Sequence, residues 1–74
     1  MTWNYRIIKN TINNVDYYAI HEVYYDDNLN PHSCSADPIY PYGDSLEELN
    51  IDFNLMKSAF SKPILDMSLF LKNK

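Results

Sequence analysis

Gly43 is the only glycine in the sequence. Loops that cradle phosphate need several backbone positions without a Cβ, so nucleotide-binding loops of that kind are excluded. Cys34 is the only cysteine, which rules out an intrachain disulfide. Lone-cysteine usage points to a reducing compartment. No apolar run approaches the roughly twenty residues of a membrane span, and the N-terminus lacks a basic-then-apolar signal, so a cytoplasmic location is expected. The most informative absence is positive charge. Between Lys9 and Lys57 there is no Lys or Arg, whereas Asp16, Glu22, Asp26, Asp27, Asp37, Asp44, Glu47, Glu48 and Asp52 all fall in that interval. Phosphate backbones are bound mainly by Lys and Arg, which argues against direct nucleic-acid binding by this region. A basic protein surface is the complementary partner, and a solvated acidic surface that serves solubility is the alternative.

What is present points to one small α+β domain. Seventy-four residues suffice for a single core of modest size. Trp3–Lys9 is aromatic and β-branched with period-two alternation, and reads as a strand. Asn10–Asn14 holds three asparagines and predicts a reversal. Val15–Tyr25 is the longest strand candidate. One face carries Val15, Tyr17, Ala19, His21, Val23 and Tyr25, and the other Asp16, Tyr18, Ile20, Glu22 and Tyr24. The carboxylate-free face is expected to meet the helix, leaving the other for solvent or a partner. A turn over Asp26–Pro31 and a short edge strand over His32–Ala36 follow, and the prolines of Asp37–Tyr42 end the sheet.

Gly43–Phe60 organises the rest. Ser45 with Glu48 three residues later forms a capping box, and Asp44, Glu47 and Glu48 place negative charge at the positive end of the helix dipole. Leu46, Leu49, Phe53, Met56 and Phe60 recur on one stripe, expected to be the core. The helix is predicted over 45–61, ended by Pro63. Ile64, Leu65, Met67, Leu69, Phe70 and Leu71 make the C-terminal piece too apolar for a free tail. It is expected to pack as a short helix capped by Asp66, as an added strand, or against a second copy of the chain. The expected architecture is thus a three-stranded antiparallel sheet over 3–36, one long helix packed on one face, and an apolar C-terminal segment over 64–71 within a single 1–74 domain.

Chemistry-bearing sets are sparse. His21, His32, Cys34 and Asp37 lack the paired spacing of a structural zinc site, so no metal or other cofactor is expected. Cys34 with His21 as base has no orienting third group, and Asp26-Asp27 and Glu47-Glu48 have turn and capping explanations. No catalytic residue is assigned, and the chain is expected not to be an enzyme. The remaining candidates form a partner-binding surface that mixes aromatic anchors with carboxylates: Tyr18, Ile20, Glu22 and Tyr24 on one strand face, Tyr40 and Tyr42 beside the helix entry, and Glu47 and Asp52 on the helix. Ordinary packing of tyrosine rings across a small sheet is the alternative for the strand residues.

The order strand, strand, strand, helix, with Gly43-Asp44-Ser45-Leu46-Glu47-Glu48 at the helix entry, resembles the HicB-like antitoxin domain. The chain also resembles small bacterial and phage proteins through Trp3–Arg6, Tyr17–Tyr25 and Lys62–Asp66. The first resemblance implies a non-enzymatic module that neutralises a small basic RNA-cleaving toxin by covering its nucleic-acid surface. The second leaves room for a phage-encoded anti-defence inhibitor that uses the acidic middle as a nucleic-acid mimic. A self-associating homodimer completed through the apolar C-terminus is a third expectation. No membrane partner is implied.

Overall fold

The computed structural model describes residues 2–71. In chain order the elements are β1 (Thr2–Ile12), β2 (Val15–Tyr25), β3 (Pro31–Cys34), α1 (Leu46–Lys57) continued by a 3₁₀ turn (Ser58–Ser61), β4 (Leu65–Asp66) and α2 (Ser68–Leu71). β1 and β2 form one long hairpin, paired from Thr2↔Tyr25 to Ile12↔Val15. Its two-residue loop is Asn13-Asn14, both at positive φ. That geometry matches the twist of the flanking strands, and asparagine is among the few residues that adopt it readily. The reversal is therefore tighter than the Asn10–Asn14 span read from composition. Asp26 closes the next turn, its carboxylate accepting from the amides of Asn28 and Asn30.

The sheet is four-stranded and mixed, in the order β3-β2-β1-β4, not three-stranded and antiparallel. β4 is two residues long and runs parallel to β1, pairing Leu65 with Ile8 and Asp66 with Lys9. Leu65 and Asp66 are too few to show a readable alternation, so the sequence admits an added strand as one expected form of the C-terminal piece but does not give its parallel pairing with β1. The edge strand is Pro31–Cys34 rather than His32–Ala36. Beyond it the chain keeps touching β2, with the Ser35 amide donating to Glu22 O and the Ile39 amide to Ile20 O. The C-terminal piece is both of its expected forms in succession, strand and then helix, and Asp66 caps the helix by accepting from the Ser68 amide.

Directly opposed residues share a sheet face. Trp3, Tyr5 and Ile7 thus lie with Tyr24, Glu22 and Ile20, while Ile8 and Arg6 lie with Ala19, His21 and, through the Val23↔Cys34 pair, the β3 side. Tyr5 Oη donates to Asp52 of α1, which puts the helix on the face that bears Glu22. The expected orientation is reversed. The carboxylate-free face is closed instead by the C-terminal segment, whose Met67 sulfur lies 4.0 Å from Cys34 Sγ. Val23 and Ile8 on that face are 0% and 1% exposed. The carboxylate face tolerates the helix because both carboxylates at the contact accept hydrogen bonds, Glu22 from Tyr24 Oη and Asp52 from Tyr5 Oη. Arg6 ties the crossing chain to β1, donating to Pro63 O at 2.7 Å and to Tyr25 Oη at 2.8 Å.

The helix entry follows the sequence with one change. Ser45 Oγ accepts from the Glu48 amide, but Glu48 Oε1 reaches back to the Asp44 amide, one residue beyond the reciprocal capping partner. Gly43 is required here by proximity: a Cβ would stand 2.3 Å from the Leu49 backbone nitrogen.

A candidate interaction groove on helix α1

The stripe Leu46, Leu49, Phe53, Met56 and Phe60 is not the core. Of these only Met56 is buried, and Leu46, Phe53 and Phe60 are 82%, 52% and 70% exposed. The cause is the rotation of the helix about its axis. At about 100° per residue, Asp52, Met56 and Ala59 share one seam, and Phe53, Leu46 and Phe60 lie to one side of it. The seam is turned to the sheet: Asp52 bonds Tyr5, and Met56 and Ala59 are buried. Asp52 also accepts from the Tyr42 amide at 2.9 Å, so one carboxylate fixes both the helix rotation and the segment that runs beside it.

That segment and the free side of α1 enclose a groove of ≈ 860 Å³, floored by Ile20 and walled by Ile39, Tyr40 and Pro41 on one side and Phe53, Met56 and Phe60 on the other. Pro41 and Phe53 also border a second hollow of ≈ 450 Å³ that continues towards Leu46 and Leu49. The two form one apolar trough along α1. Among the described residues Lys57 is the only charged side chain lining either part.

The proposed partner-binding residues separate into four groups. Ile20, Tyr40 and Asp52 belong to the trough or its frame, with Tyr40 75% exposed at the rim. Tyr42 is 65% exposed, and its hydroxyl donates to Asp44 at 3.0 Å, so it stands with the exposed Glu47 at the acidic helix entry. Tyr18 is exposed farther along the hairpin and borders a different hollow, with Lys9 and Ile64. Glu22 and Tyr24 are half-buried and bonded to each other. That bond is the chief cause raising the Tyr24 phenol above its ordinary pKa. Burial, then the Asp52 charge, raises that of Tyr5. Sequence reasoning missed Ile39 and Pro41 as trough lining, and Phe53 and Phe60 as surface rather than core. A readable signal existed: Ile51 and Leu55 are apolar and lie outside the stripe, giving α1 more apolar arc than one small sheet covers.

The carboxylates divide similarly. Asp16 accepts from Thr11, Asp26 from its own turn, Asp44 from Tyr42, and Glu48 from the Asp44 amide. Among the described residues one ion pair forms, Lys9–Asp66 at 3.6 Å, and no carboxylate between residues 16 and 52 takes part in it. The acidic interval is thus hydrogen-bonded in places but not neutralised.

His21 and Cys34 do not meet as base and nucleophile. His21 is buried, with Nδ1 3.0 Å from Ser35 O. Cys34 Sγ faces Met67, and burial raises its thiol pKa, the opposite of what an activated thiolate needs. Among the described residues no three His, Cys, Asp or Glu side chains converge as a metal-holding group, and no helix is long and apolar enough to cross a membrane. No protein-family model, curated protein or solved structure matches the chain.

Proposed function

We propose that this chain is a non-enzymatic protein-interaction module whose acidic surface binds and inhibits a basic, nucleic-acid-handling protein. The observation that carries this reading is the set of carboxylates between residues 16 and 52 that no cation of the described residues neutralises, of which Asp44 lies against the exposed ring of Tyr42. Unpaired carboxylates steer a basic partner into contact, and exposed tyrosines supply rigid contact area once it arrives. The Gly43–Glu48 helix entry keeps the HicB-like resemblance as the first choice of partner class, a small RNA-cleaving toxin. A phage-encoded inhibitor of a host defence effector is the second, because the same carboxylates imitate a phosphate array.

The test is association with the product of the adjacent gene, followed by stopped flow at low and high salt. The on-rate is expected to fall as salt rises, and Glu47→Lys to slow it further with the fold intact by circular dichroism. Glu47 is the residue to reverse because it is exposed at the helix entry, whereas Glu22 is occupied by Tyr24. Binding indifferent to both salt and Glu47→Lys overturns the reading.

A further inference from the structure

We infer that the apolar trough along α1 is an isologous homodimer interface, filled by α1 of a second copy packed antiparallel. This goes beyond the acidic-surface reading and does not depend on who the basic partner is. Three observations select a second copy as the occupant.

The first is exposure. Leu46, Phe53 and Phe60 stand 82%, 52% and 70% exposed along one side of α1, a contiguous apolar stripe of the kind that marks an association surface.

The second is the symmetry of the stripe. Leu46 and Phe60 stand seven residues before and after Phe53. A two-fold axis through Phe53 therefore sets Phe53 against its own copy, and Leu46 at the start of α1 towards the partner's Phe60 in the 3₁₀ turn that continues the helix. The third is charge. The trough holds Lys57 and, among the described residues, no carboxylate, so parallel packing of two copies would set like charges together. Antiparallel packing instead brings the acidic entry, Asp44, Glu47 and Glu48, towards the Lys57 end of the second copy. The C-terminal segment is not the dimer surface expected from sequence, because Leu65 and Met67 are already committed to the chain's own sheet.

Sedimentation equilibrium of the full chain at micromolar concentration is expected to return twice the chain mass. Phe53→Glu is expected to weaken the dimer about 30-fold or more, the effect of losing an interface hot spot. Ile51→Glu, equally exposed but on another side of α1, is the control and leaves the dimer intact. In a Cys34→Ser background, Phe53→Cys is expected to oxidise to a covalent dimer, which fixes the register and does not require a charge at the axis. A monomer up to 100 µM (about 100-fold above a 1 µM dissociation constant) overturns the inference. So does a dimer that Phe53→Glu and Ile51→Glu affect equally. Either result leaves the acidic-partner reading to its own salt and Glu47→Lys test.

Discussion

The two faces of the sheet are covered by different means and to different depths. On the Ile8/Val23 face the covering segment is short and tethered at once. It leaves Pro63, pairs with β1 as β4, and folds back as α2 with Met67 against Cys34. On the Ile20/Glu22 face the cover is a helix held mainly at its C-terminal end, where Met56 and Ala59 are buried, with polar Asp52 on the seam. A cover pinned by strand pairing has no freedom to turn its apolar groups outward. A helix whose rotation is set by one carboxylate does, and here it turns Leu46, Phe53 and Phe60 off the sheet. A large apolar stripe thus marks a surface that needs covering, without saying whether the chain itself covers it.

The comparison is broken most directly by truncating one residue on each side. Ile8→Ala, on the closed face, is expected to cost about 2–5 kcal/mol, a large part of what a domain this size has. Phe53→Ala measured in urea at concentrations dilute enough for the monomer is expected to cost only about 1 kcal/mol, because half of its ring is already in water. Equal losses would mean that the α1 stripe is core after all.

Gly43→Ala tests whether the open face depends on close approach at the helix entry. At an unstrained site this change usually stabilises by about 0.4–1 kcal/mol. Here the new Cβ meets backbone at 2.3 Å, so a loss of about 1–3 kcal/mol is expected. Chemical-shift changes should centre on Leu49 and Tyr42. A stabilised variant would show that the entry shifts freely.

Asp52→Ala is expected to cost about 1 kcal/mol and to speed amide exchange at Tyr42, which loses its acceptor. The Tyr5 phenol should ionise at lower pH than in the parent, though not at its ordinary value, since burial is the largest cause of its shift. Unchanged Tyr42 exchange would remove Asp52 as the fixing point of helix rotation.

The smallest effect concerns the closed face and pH. Asp66 is held below the ordinary carboxylate range by hydrogen bonds from Ser68, with Lys9 assisting. Its unfolded counterpart binds a proton first as pH falls. The contribution is therefore complete well above about 3.9, shrinks below it, and is gone once the folded carboxyl is protonated. Asp66→Asn should flatten that part of the urea midpoint against pH. A profile identical to the parent's would show that the cap adds nothing to stability.

Local hydrogen bonding was legible in the sequence. Ser45 caps α1, Asp26 closes its turn, Pro63 follows the helix end, and the asparagines supply the hairpin loop, because each uses partners within a few residues. The long β1–β2 hairpin follows from the same short-range chemistry. Which sheet face receives α1, how the helix is rotated, and the existence of β4 rest on partners far apart in the chain: Tyr5 with Asp52, 47 residues on, and Ile8 with Leu65. Periodicity places Phe53 on a stripe but carries no information about the direction in which that stripe points. Only the tertiary structure decided it, because the contacts that orient α1, the Tyr5–Asp52 bond and the burial of Met56 and Ala59 against the sheet, join segments far apart in the chain.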